Sequence, residues 1–496
     1  MPPRFHDLRQ FLAFLEEHGE LVRIRATVDP NLEISEIADR TTKSGGPALL
    51  FENVRGSSLP VAINVYGSER RMAWALGGET IDEVVGRVEE LFRLAPPESF
   101  ADKLKMLPRL KQVGDMLPRS VRTGPCQDET VEPASLARLP ILTCWPRDGG
   151  PFITLGAVFT KHPETGVRNV GLYRMQKYDD KTTGMHWQVH KVGAQHYRIA
   201  RELGRTMEVA VAIGGPPVLP YAATAPLPED LDEIVFAGFL QGRGLEMVRC
   251  RTIDVEVPAQ AEIVIEGYVE PGETRPEGPF GDHTGYYTPL TDFPVFHVTA
   301  VTHRRDPIYQ TTIVGRPPQE DGFLGWATER LFLPAIRMAL PEVTDIKLPV
   351  EACFHNLAIV AIRKRYPGHA AKVMHALWGL GQMMMCKCIV VVDHEVNVHD
   401  PREVLWRVSN NIDARRDIVF SDGPVDQLDH AASRPLVGSK MGIDATAKWR
   451  EEGYERDWPP VIEMSPDVRA RIDAMWPSLG IRLQAPRLGI GERRRT

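Results

Sequence analysis

The sequence predicts a mixed α/β chain with a β-rich middle, on three observations. Helical periodicity and short strands alternate over residues 1–95. Strand-like runs dominate from about 150 to 320. A strand–helix–strand–helix succession fills most of the last third. With 496 residues, the chain has room for about three domains at roughly 100–200 residues each.

Leu8, Phe11, Leu12 and Leu15 recur at helical spacing, and Gly19 ends that helix. The strand "LVRIRATV" follows, then a helix over about 33–42, strands at "ALLFENV" and "PVAINVYG", and the helix "TIDEVVGRVEELFRL". Residues 95–150 are proline-rich with little periodicity and read as a linker wrapping the surface. "FITLGAVFTKHPETGVRNVGLYRMQKYD" gives two β runs around a Pro-Glu-Thr-Gly turn. "MEVAVAIGG", "AEIVIEGYVEP" and "FPVFHVTAVTHR" add strands, interrupted by a helix near "PEDLDEIVFAGFLQG". A mainly β domain, closed as a barrel, fits this stretch. Beyond it, "LAIVAIRK" and "CIVVVD" read as parallel strands, with helices at "GHAAKVMHALWGLG" and "DPREVLWRVSNNI". Asp400 is placed to cap the second helix, with Pro401 at its first position. After about 420 the sequence reads as irregular up to a short helix near "PDVRARIDAMW".

Composition narrows the function. The chain is 43% hydrophobic and 25% charged with a net charge of −7, which suits a globular protein and argues against a general nucleic-acid binder. The one dense basic run is Arg493–Arg495. Six scattered cysteines form no CxxC pair, so no structural zinc site is expected. The charged N-terminus does not read as a signal peptide, and no run of 18 apolar residues predicts a membrane span, which points to the cytoplasm. There is no Walker A motif, no GxGxxG after a strand and no GxSxG.

Polar residues concentrate in the β-rich middle. Asn169 and Arg174 lie in "RNVGLYRM", His186, His190 and His196 in "GMHWQVHKVGAQHY", and Glu233 in "LDEIVFAG". Asn, His and Glu together suit Mn²⁺ or Mg²⁺. On an ideal strand Asn169 and Arg174 would face opposite sides, so one site can use both only across a bulge or a ligand. Glu277 and Asp282 lie in "EGPFGDHTGYY". They read either as turn residues or as an acid pair, in which repulsion leaves one protonated and Arg174 keeps the other ionised.

These segments, with "PLPEDLDEIVFAGFLQG", "GRPPQED" and "GSKMGIDATAKW", resemble the UbiD-like decarboxylases, which include 4-hydroxy-3-polyprenylbenzoate carboxy-lyase. The resemblance implies an N-terminal α/β region (1–110), a central split β-barrel for cofactor and metal (111–320), and a C-terminal α/β domain with an oligomerisation tail (321–496). It implies prenylated FMN, Mn²⁺ and K⁺ as cofactors. Carried over, the metal ligands are Asn169, His196 and Glu233. Leu172 and Tyr173 (backbone) and Arg174 contact the flavin, and His186, Trp187, Gln188 and Lys191 line its phosphate end. Ala222 and Ala223 offer carbonyls to K⁺. Some members have Arg at His186 and Arg-Gly at Lys191-Val192. The catalytic network is Arg174, Glu277 and Asp282, with Glu277 anionic and Asp282 bearing the proton that replaces CO₂. The implied substrate is a small aromatic or α,β-unsaturated acid. A polyprenyl-hydroxybenzoate or related quinone precursor comes first, a dihydroxynaphthoate or soluble phenolic acid next, with His283 placed to meet a phenolic hydroxyl. A polyprenyl tail would call for peripheral membrane contact. A flavin prenyltransferase would supply the cofactor, and a homodimer or homohexamer is expected. An ordinary flavin reductase is the alternative of a different class.

Overall fold

Strands buried on both faces are mostly apolar, and so are the two strands at the centre of this protein. In Ala157–Lys161 and Met207–Ile213, successive side chains enter two different cores. Phe159, Ala210 and Ala212 face one; Val158, Val209, Val211 and Ile213 face the other. These strands belong to an antiparallel sheet in the order 182–184, 291–303, 263–277, 207–213, 157–161, 168–172, with 129–130 pairing beside 291–303. Hydrogen bonding follows an open path, and no strand pairing closes the sheet into a barrel among the described residues. The computed structural model describes residues 4–92, 114–228 and 231–481. The expected boundary at residue 110 and the Arg493–Arg495 run lie outside them.

The N-terminal part is a four-stranded sheet, Leu21–Val28, Ala48–Val54, Val61–Ile63 and Tyr309–Gln310, packed with helices. Its last strand comes from beyond the large sheet. Both cores are shared: Leu8 and Leu50 join the first, Ile34 and Phe51 the second. The helix Leu8–Glu17 forms as its spacing predicts, and Asp7 caps it.

The C-terminal part has its own core around the sheet 343–347, 357–362, 388–393, 437–444, 418–424. The expected parallel layer is present only at its centre. Strands 357–362, 388–393 and 437–444 run parallel, and both edges are antiparallel. Strands Ile418–Pro424 and Val437–Asp444 correct the irregular reading of that stretch. Their glycines and half-exposed faces hide them from a hydrophobic count. Asp400 caps Pro401–Asn411 through the N–H groups of Arg402 and Glu403. The helix Asp321–Ala339 ties the two halves: Trp326 and Leu331 enter the first shared core, Leu333 and Ile336 the C-terminal one.

Phe159 is fully buried within a shared core. Phe159→Ala should lower unfolding free energy by about 3–5 kcal/mol in denaturant titration.

Candidate active site

The long strand Ile263–Glu277 ends at Glu277, which pairs with Thr291 as the chain returns. Residues 278–290 are the tip of this hairpin. Phe280 O accepts from Thr288 N–H at 2.8 Å, and Tyr286 O from Asp282 N–H at 3.1 Å. Three groups from elsewhere grip the tip. Asp148 Oδ1 accepts from Gly281 N–H at 2.8 Å, Gln176 Oε1 accepts from Gly278 N–H at 2.7 Å, and Gly149 N–H donates to Pro279 O at 2.8 Å. Asp148 Oδ2 also accepts from the N–H groups of Cys144 and Trp145. Gly149 must lack a side chain, because a Cβ there would stand 2.0 Å from Gly278 O.

The strand Arg168–Leu172 ends just before Tyr173, so strand parity no longer governs Arg174. Asn169 stays on the strand while Arg174 turns to the hairpin tip. Its Nε donates to Glu277 Oε1 at 3.1 Å, and Nη1 is paired with Asp282 Oδ2. The guanidinium lies 4.7 Å over the Phe280 ring, which packs on Phe152. His186 Nδ1 lies 2.9 Å from Glu277 Oε2. Burial, then the Arg174 charge, lowers the His186 pKa, so this ring is neutral and donates through Nδ1.

Glu277 and Asp282 are both buried, which alone would raise their pKa values. His186 and Arg174 instead hold Glu277 below its ordinary range, and Arg174 with His283 holds Asp282 well below its own. Here the structure departs from the expectation that repulsion leaves a proton on Asp282. Two cations, not one, neutralise two carboxylates. His283 Nδ1 lies 2.9 Å from Asp282 Oδ1, and against the penalty of burial that contact raises His283 to about 9. His283 Nε2 lies 2.9 Å from His355 Nε2. Both ring nitrogens are therefore engaged, and His283 has none left for a phenolic hydroxyl.

Two of the expected metal residues meet at Thr160, and the third bonds the backbone of the strand that carries Asn169. Thr160 Oγ1 is 3.0 Å from His196 Nδ1 and 3.5 Å from Asn169 Nδ2, and Glu233 Oε2 accepts from Val170 N–H at 3.0 Å. Burial, then His162, pushes His196 down to about 4, leaving the neutral imidazole a cation needs. Burial pushes Glu233 up to about 7, a carboxyl in want of positive charge. Among the described residues no group of three or more His, Cys, Asp and Glu is arranged for a metal, so a cation here must recruit a neutral oxygen such as that of Asn169. Toward the flavin positions, His186 Nε2 and Trp187 Nε1 are buried without partners. Lys191 stands at the N-cap of the helix Val192–Glu202 and its side chain makes no cap hydrogen bond; a helix N-terminus is where a phosphate can bind. Of the carbonyls expected to meet K⁺, Ala223 O accepts from Leu172 N–H at 3.3 Å. Sequence reasoning missed Asp148, Gln176 and His355. Only the "DGG" that begins at Asp148 marks a tight turn.

Family models described as the 3-octaprenyl-4-hydroxybenzoate carboxy-lyase N-terminal domain, Rift-related domain and C-terminal domain match residues 12–91, 119–317 and 322–445. An uncharacterized protein of Aquifex aeolicus (strain VF5) is 54% identical over 482 residues, covering 96% of this chain and 99% of its own. The UbiD-class enzyme HmfF from Pelotomaculum thermopropionicum, solved with FMN, is 34% identical with a TM-score of 0.77, covering 92% of this chain and 98% of its own. An evolved dimeric form of it is solved with prFMN. Vanillic acid decarboxylase from Sedimentibacter hydroxybenzoicus in closed form is 26% identical with a TM-score of 0.84, covering 96% and 99%; its open form scores 0.76.

Two predictions test this geometry. Asp148→Ala leaves three backbone donors without their acceptor and should cost at least roughly 2 kcal/mol by denaturation. The second concerns pH. The Glu277 and Asp282 contributions are complete above about 4 and vanish as pH falls through their lower folded values. The His283 contribution is complete below about 6.5 and vanishes as pH rises through about 9. Stability measured against pH should therefore decline on both sides, and Asp282→Asn should flatten the alkaline decline.

Proposed function

Because the chain belongs to the UbiD family of carboxy-lyases, we propose that it removes CO₂ without oxidation from an aromatic or α,β-unsaturated carboxylic acid, using prenylated FMN. The observation that carries this is Arg174 bridging Glu277 and Asp282 on a buried hairpin tip. The bound cofactor supplies the electron sink. Every other demand falls on the chain. Leu172, Tyr173 and Arg174 flank the flavin ring, and the free ring nitrogens of His186 and Trp187, with Gln188 and Lys191, hold its phosphate end. The β-rich centre serves as the split barrel around it, within a 1–110, 111–320, 321–496 organisation. Asn169, His196 and Glu233 hold Mn²⁺, whose charge answers the raised carboxyl of Glu233, and Ala222 and Ala223 border K⁺.

Arg174 meets the substrate carboxylate and orients it. Glu277 remains anionic and holds Arg174 in place. As the substrate carboxylate takes the Arg174 Nη1 that pairs with Asp282, Asp282 loses one of the two cations that keep it ionised, gains a proton, and delivers it to the carbon left by CO₂. A flavin reductase would have no use for this pair of acids. A polyprenyl-hydroxybenzoate or another quinone-pathway acid is the first substrate to test, on the strength of the family resemblance, and a dihydroxynaphthoate or a soluble phenolic acid the next. The "GSKMGIDATAKW" motif gives no added support. Lys440 donates to the Met384 and Cys386 carbonyls and Lys448 pairs with Asp444, so both lysines are structural. We place the enzyme in the cytoplasm as a homodimer or homohexamer. No described helix is long and apolar enough to cross a membrane.

Co-expression with a flavin prenyltransferase should yield protein carrying prenylated flavin and one manganese by native mass spectrometry, and that protein should release CO₂ from an aromatic acid. Unmodified flavin in protein made with and without the prenyltransferase, with NAD(P)H oxidation and no CO₂, would contradict the reading. Asp282→Asn should lower turnover at least 100-fold while the flavin stays bound.

A further inference from the structure

His355 does not belong to the hairpin. It follows the turn Val350–Ala352 at the head of the C-terminal sheet, more than seventy residues along the chain from His283. The backbone that delivers it is strained. Cys353 and Phe354 are consecutive non-glycine residues with φ of 54° and 48°, a conformation that persists only where the surroundings enforce it. Here they do. The Phe354 ring stacks on His283, with centroids 5.5 Å apart and planes at 19°. Gly325 of the long helix makes room for that ring, since a Cβ there would stand 2.6 Å from Phe354 Cγ. The loop thus presses two rings onto His283, and His355 Nε2 meets its outer nitrogen.

The protonation pattern follows from the contacts. Asp282 Oδ1 accepts at His283 Nδ1, so Nδ1 carries a proton. Burial, then the His283 charge, pushes His355 down to about 4, so His355 is neutral. Its Nδ1 has no partner. Its Nε2 can therefore accept from His283 Nε2–H. Asp426 adds negative field at His283 and, with Asp429, at His355; Asp321, which burial raises to about 7, adds it at His283 once ionised; and Arg174 lies beyond Asp282.

We propose that His283 is the proton store for Asp282, and that His355 is the positioning residue that keeps His283 a charged double donor. This rests on the reading that Asp282 delivers the product proton. When the substrate carboxylate takes Arg174, a proton moves from His283 Nδ1 to Asp282 Oδ1. The N–H bonding pair stays on Nδ1, and His283 becomes neutral. Asp282 passes the proton to the carbon, which keeps the electron pair of the broken C–CO₂ bond, and returns to carboxylate. One solvent proton restores His283. The sum is R–COO⁻ + H⁺ → RH + CO₂. Because the outer imidazole comes from the C-terminal part, the store is complete only while that part is docked on the hairpin.

Deuterium exchange at the imidazole C2 position, read by mass spectrometry on full-length protein without cofactor, gives each histidine's titration. His283 should titrate near 9, at least one pH unit lower in His355→Phe, and close to the parent value in His355→Gln, whose amide oxygen can accept. In loaded enzyme the alkaline limb of kcat/KM should move the same way, with the low-pH plateau retained. A His283 titration at the ordinary imidazole value, or one indifferent to both substitutions, overturns the proposal. If His283 responds but Asp282→Asn keeps turning over, the coupling stands and the acid role of Asp282 falls. If Asp282→Asn is inactive while His283 ignores His355, the acid role stands and the store falls.

Discussion

The site depends on one arginine serving two buried carboxylates. Glu277 and Asp282 could not both stay ionised side by side without Arg174. His283 completes the balance as a second cation on the far side of Asp282, so two negative charges face two positive ones. Taking one partner from such a buried cluster costs several kcal/mol because a charge is stranded. That same dependence makes the cluster responsive. A substrate carboxylate arriving at Arg174 changes the affinity of Asp282 for a proton without moving the backbone.

The scaffold exists to hold this geometry still. A fifteen-residue strand carries Glu277 to the end of the sheet, and Asp148, Gly149 and Gln176 clamp the tip beyond it. Asp148 spends both oxygens on backbone N–H groups, and so fixes the loop rather than the chemistry. Asn169 lies on a neighbouring strand and His196 and Glu233 on helices, with Thr160 between Asn169 and His196. The N-terminal and central parts cannot move apart easily, since they share both cores. The C-terminal part has its own core and meets the site through a few side chains, among them His355 against His283 and His430 against Tyr286.

Much of this was legible in the sequence, and the omissions have physical causes. Helices with a cap and a periodic face, such as Leu8–Glu17 and Pro401–Asn411, announce themselves. The acids of "EGPFGDHTGYY" were legible only as turn residues or an acid pair, because glycine and proline exclude a regular ladder there without choosing between the two. The protonation of Asp282 was not legible, because it depends on His283 and Arg174 approaching together, and residue types alone predict only the repulsion. The use of Arg174 was obscured by strand parity, which fails because the strand stops at Leu172. His355 carries no local signal, and its role is created by a strained turn and a tertiary contact. The last two strands of the C-terminal sheet were lost to their glycines and exposed edge.

The central claim is that Arg174 keeps both acids ionised. An infrared difference spectrum between Arg174→Gln and the parent protein near neutral pH tests it directly. The account predicts a protonated-carboxyl stretch gained in the variant, and its disappearance when Asp282→Asn is added. The absence of any gained band, or a band that survives removal of Asp282 and Glu277 alike, would contradict it.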